Sequence, residues 1–167
     1  MKWFLFTALL IIYSCRGNSL GALSPDQKGL FNLSETFKNE YKDTSDSRER
    51  EKLVKQYEIK LQDYLRHSCD YILKDVKVHV RKVEVDSSGR LLAEFTDKNC
   101  RYLVHRYYRN DLEMKADSVY HLVRSLNENA DITLRFLFDG NIKVNDFENA
   151  SNKIFEIEVT PTEIAHI

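Results

Sequence analysis

Hydrophobic and polar positions alternate along this chain with two different periods, and the change from one to the other divides it. From Leu30 to Ile72 the apolar residues recur every three or four positions. Leu30, Leu33 and Phe37 form a first stripe, and Leu53, Val54, Tyr57, Leu61, Tyr64, Leu65, Ser68 and Ile72 a second, longer one. Such spacing predicts two amphipathic helices. The first starts at Ser24-Pro25-Asp26-Gln27, with Ser24 as cap, Pro25 in the first turn and Gln27 as capping-box partner, and runs to about Tyr41. Thr44-Ser45-Asp46-Ser47 is the loop that supplies the next cap.

From Val76 the period becomes two. Val76, Val78 and Val80 share one face, and Val83 and Val85 take the opposite parity, which predicts a β-bulge near Arg81 and Lys82. Asp86-Ser87-Ser88-Gly89 closes a hairpin onto Leu91, Ala93 and Phe95, and a third strand covers Arg101 to Tyr108. A helix is expected from about Lys115 to Leu126. Ile132, Leu134, Phe136 and Phe138 then lead into Asp139-Gly140, a two-residue hairpin signal. Ile142 and Val144 return, and Phe155, Ile157 and Val159 close the sheet. The expected fold class is therefore α+β: two N-terminal helices, then an antiparallel sheet, in the order ααβββαβββ, as a single compact domain over 25–167.

The start of the chain follows neither period. Lys2 precedes an apolar run from Trp3 to Tyr13, broken only by Thr7, that ends at Ser14-Cys15. Such a segment predicts a secretory leader over 1–14, because roughly 20 apolar residues are needed to span a bilayer. The motif Ile12-Tyr13-Ser14-Cys15 resembles the lipobox of bacterial lipoproteins. That resemblance covers only the leader. It implies cleavage before Cys15, a diacylglyceryl thioether on the Cys15 sulfur, and membrane attachment in the cell envelope. Residues 15–24 then read as a tether. The alternative is a general signal peptidase cutting a few residues later, near Gly17, to release a soluble secreted protein.

Composition narrows the function classes. Of the 167 residues, about 150 follow the leader, which suits one domain with its own core. Net charge is −1, so no global field recruits nucleic acid, and none is expected as a partner. Export makes Cys69 and Cys100 a candidate disulfide, and two separate buried thiols are the other reading of the pair.

Candidate chemistry is sparse. In the strand RYLVHRYYR, Arg101, Arg106 and Arg109 form a candidate anion-binding set, set against arginine stems that merely pack on neighbouring rings. His67, Cys69 and His79 lack metal-ligand spacing, so neither metal nor cofactor is expected. Glu156 and Glu158 share one face of the last strand, as paired acids or as an ordinary polar face. No nucleophile turn or phosphate loop occurs, so no catalytic residue is assigned. A small secreted hydrolase with His105 or His121 as base is the least supported reading. The leading one is an exported, lipid-anchored binding or accessory module whose partner is another envelope protein or a small ligand. Asn32 and Asn149 stand in Asn-x-Ser triplets, which matter only in a glycosylating cell.

Overall fold

The computed structural model describes residues 23–146 and 153–164. The leader, Cys15, most of the tether and Asn149 lie outside them. The fold is α+β, with four helices and five strands. Helices α1 (Pro25–Asp43) and α2 (Ser47–Asp63) come first, and α2 continues into one π-helical turn, Tyr64–Ser68. Strands β1 (Ile72–Val85), β2 (Arg90–Thr96) and β3 (Cys100–Tyr107) follow. Short helices α3 (Asp111–Ala116) and α4 (Ser118–Arg124) lead to β4 (Asp131–Val144) and β5 (Phe155–Ile164).

The sheet is not the all-antiparallel one that the alternation suggests. It closes into a barrel in the order β1-β2-β3-β5-β4, with β4 returning to β1. Four junctions are antiparallel, but β3 and β5 run parallel, with Cys100 opposite Phe155 and Tyr102 opposite Ile157. Closure removes both sheet edges. Inward positions alternate along every strand, and Val80, Leu91, Phe95, Tyr102, Val104, Leu134, Phe136 and Ile157 are fully buried.

Two further expectations are corrected. Asp139-Gly140 is not a hairpin. β4 runs through it, and its register against β5 shifts between Phe138 and Ile142 while Gly140 takes φ +100°. The glycine bends a long strand around the barrel, and β5 pairs with both halves of it. The last third therefore holds two strands, not three. The second helix stops earlier than its apolar stripe: Asp70 and Tyr71 take left-handed φ values of 49° and 61°, and Ile72 opens β1. The expected helix over 115–126 is two short ones, broken at Asp117. That residue caps α4 through its bond from the Val119 N–H and also accepts from Tyr108 Oη at 2.7 Å.

Local signals hold in several places. Ser24 caps α1 by accepting from the Gln27 N–H, and Asp46 caps α2 by accepting from the N–H groups of Arg48 and Glu49. The β1 register shifts between Val80 and Lys82, at the predicted bulge. Gly89 takes φ +77° in the turn after Asp86.

The helices attach to the barrel through polar as well as apolar contacts. α1 packs on β1 and α2, and α2 packs on β4. Asp26 accepts from the Lys74 N–H at 2.8 Å, so the start of α1 is tied to β1. Further along α1, Ser34 Oγ accepts from Asn99 Nδ2 at 2.6 Å, and Glu35 accepts from the same nitrogen. The Lys38 ammonium, hydrogen-bonded to Glu35, holds that carboxyl below its usual range. Gly29 is the point of closest approach: a Cβ there would lie 2.0 Å from Tyr64 Oη.

Candidate functional site

The outward side chains of the barrel form the candidate site. In β1, Lys77 and His79 alternate with the buried Val76, Val78 and Val80, and Arg81 follows them, so all three point away from the core. They line a groove of about 770 Å³. Glu94 and Thr96 of β2, Arg101 of β3, and Asp131, Ile132 and Thr133 of β4 line it with them. Lys98, Lys153 and Leu23 also contribute. The bulge decides the composition of this row. An extra residue between Val80 and Lys82 leaves Arg81 unpaired in the β1–β2 ladder, and its side chain is presented to the groove.

Most charges in the groove are already matched. Arg101 lies 3.3 Å from Glu94 and 3.9 Å from Glu156, on the two neighbouring strands. His79 Nδ1 is 2.9 Å from Asp131 Oδ1. A carboxylate only accepts, so the ring donates through Nδ1 and its neutral form keeps Nε2 as an acceptor. Lys153 donates to the carbonyls of Asp97 and Lys98, and the Lys98 ammonium sits over the Phe31 ring. Asp97 is consumed by structure: Oδ1 accepts from the N–H groups of Asn99 and Cys100, and Oδ2 from Gln27 Nε2 and Tyr102 Oη. Lys77 and Arg81 are different. Both are exposed, and among the described residues neither side chain has an ion-pair or hydrogen-bond partner.

The three arginines of RYLVHRYYR do not come together. Arg101 points outward at the start of β3. Arg106 has the opposite parity, is half-buried, and donates through Nη2 to Thr160 Oγ1 at 2.5 Å, where Thr160 in turn bonds Asp139. Arg109 lies past the end of β3, with its N–H bonded to Glu113. Strand alternation separates the first two, and the strand ends before the third. Only Arg101 belongs to the groove.

The other candidates are placed as follows. Glu156 and Glu158 do share the outer face of β5, but each is engaged: Glu156 accepts from Asn145, and Glu158 from Asn141 at 2.5 Å and faces His105 Nδ1 at 3.1 Å. His121 Nε2 donates to the Lys115 carbonyl. Among the described residues no hydroxyl or thiol is hydrogen-bonded to either imidazole, so neither histidine has a nucleophile to activate. No group of His, Cys, Asp and Glu side chains among the described residues could hold a metal ion.

Cys69 and Cys100 are free buried thiols, not a disulfide. Cys69 follows the π-helical turn instead of riding on the helix, beside Tyr64 and Asp26, while Cys100 opens β3 beside Tyr102 and Asp97. Burial pushes the Cys69 thiol up to about 11 and the Cys100 thiol well above its ordinary value. Both are therefore protonated and unreactive at neutral pH.

Sequence reasoning missed Lys77 and Arg81 as site residues. Their signal was present: they occupy the polar half of the alternation whose apolar half is Val76, Val78 and Val80. Comparisons with protein-family models, with curated proteins and with solved structures find nothing that matches this chain.

Proposed function

We propose that this protein is an exported, lipid-anchored binding module and that the barrel groove receives an anionic ligand. The observation that carries the reading is the pair Lys77 and Arg81: two exposed cations without partners among the described residues, on one strand face, in a groove of about 770 Å³. Exposed charges left unmatched beside carefully matched ones favour an external partner of opposite sign. The chain as a whole carries −1, so any attraction for anions must come from this patch and not from net charge. Among the described residues no nucleophile is hydrogen-bonded to His105 or His121, which favours binding over hydrolysis. The leader pattern over 1–14 and the lipobox-like Cys15 support export and anchoring, and the partner is then a component of the cell envelope.

Retention on immobilised polyglutamate tests the groove. The wild-type chain is expected to be retained and released by salt, and Lys77→Ala/Arg81→Ala to pass through. Equal retention of both proteins removes the groove from the function. The anchor is tested by metabolic labelling with a palmitate analogue, in which Cys15→Ala should lose the label. Mass spectrometry of the mature N-terminus distinguishes cleavage before Cys15 from a soluble secreted form.

A further inference from the structure

The spacing of the groove's side chains says what kind of anion fits. Lys77, His79 and Arg81 are consecutive outward positions of one strand, so Lys77 and Arg81 stand roughly 13 Å apart with His79 midway. An extended polypeptide has the same two-residue period. Laid along β1, it presents side chains i, i+2 and i+4 to these three residues in register.

We propose, resting on the groove's role as an anion site, that the ligand is an extended acidic peptide segment of a partner protein, with carboxylates at i and i+4 and a hydroxyl-bearing residue at i+2. The carboxylates pair with Lys77 and Arg81. The hydroxyl donates to His79 Nε2, the acceptor that remains because Nδ1 is committed to Asp131. The other groups facing this row are consistent with that polarity. Glu94 is paired with Arg101, Asp131 keeps its charge and holds the His79 ring by accepting from Nδ1–H, and Thr133 and Ile132 add uncharged lining.

One observation disfavours single-stranded nucleic acid: no aromatic ring lines the groove among the described residues, whereas such a strand is held by rings on which its bases stack. At Lys77 and His79 the backbone of β1 is already engaged, because both residues pair with β4, His79 also pairs with β2, and Gln27 occupies both backbone groups of Lys77.

Fluorescence anisotropy with the full mature chain tests this, using nine-residue peptides of one composition in two arrangements. In the first, two Glu stand at i and i+4 around a Ser at i+2. In the second the Glu are at i and i+3, which puts them on opposite faces of an extended chain. The first should bind about fivefold more tightly than the second. Lys77→Ala and Arg81→Ala should each weaken it by about fivefold, the upper end for an exposed ion pair, with unchanged melting temperatures. Lys77→Glu/Arg81→Glu should instead prefer the same peptide with Lys in place of Glu. Equal binding of the two arrangements overturns the proposal. So does binding of a short polyphosphate alone: if that binding depends on Lys77 and Arg81, the anion groove stands and the peptide falls. If neither probe binds, both readings fall.

Discussion

The side-chain amide of Gln27 takes up both backbone groups of Lys77, donating from Nε2 to its carbonyl at 2.8 Å and accepting at Oε1 from its N–H at 2.9 Å. The β1–β2 ladder begins only at His79, so without this amide the Lys77 backbone would be unpaired on that side. The same Nε2 reaches Asp97 Oδ2 at 3.1 Å. One α1 residue thus extends the barrel ladder, holds the β2–β3 turn and braces the strand that carries the groove's cations.

Gln27→Ala is therefore expected to cost about 1–3 kcal/mol, because it strands buried partners instead of removing a matched pair. Urea denaturation measures it. Gln27→Glu should also destabilise at neutral pH, since a carboxylate cannot donate to the Lys77 carbonyl and would face Asp97. A Gln27→Ala protein as stable as wild type would show that the bridge contributes nothing.

Gly29→Ala is predicted to destabilise by about 1–3 kcal/mol through overpacking, although alanine is the better helix former. The new Cβ falls 2.0 Å from Tyr64 Oη and 2.3 Å from Cζ, while Tyr64 is held by its bond to the Asp26 carbonyl. Combined with Tyr64→Ala, the two losses should be less than additive in a double-mutant cycle. Strict additivity would remove the steric explanation.

Stability should fall on the alkaline side. The folded Cys69 thiol is raised to about 11 by burial, and Tyr57 to about 12 by burial and then by Glu40. An acid whose folded value is raised contributes stability that is fully present below its unfolded value, near 9.0 for the thiol and 10.0 for the phenol, and is lost as pH rises through the folded value. Melting temperature should therefore be flat from neutrality to about pH 8.5 and decline between about pH 9 and 12. Both thiols should resist alkylation until the protein unfolds. Rapid native modification of either would contradict their burial.

Arg106→Ala should behave differently from the groove variants. Its guanidinium bonds Thr160 at the other end of β3, on the opposite parity from Arg101. A loss of about 0.5–2 kcal/mol is expected, with retention on polyglutamate unchanged. Weakened retention in a folded Arg106→Ala protein would place this residue in the site.

Much of this molecule was decided locally and could be read without its structure. Helix starts depend on a cap and the few residues after it, so Ser24 and Asp46 were legible. Strand faces depend on a period of two, so the valine row of β1 and the bulge at Arg81 were legible as well. The α+β class follows from the same periods. What no local pattern carries is the pairing of distant strands. β3 and β5 are parallel neighbours although β4 lies between them in the chain, and only closure of the barrel requires it. Closure also overrode the turn chemistry of Asp139-Gly140, because β5 pairs with β4 on both sides of it. The groove belongs to this second class. That Lys77 and Arg81 point outward is a property of β1 alone. That Arg101 is paired between Glu94 and Glu156 while Lys77 and Arg81 have no partner among the described residues depends on which strands meet, and charges far apart in sequence are matched only by tertiary structure.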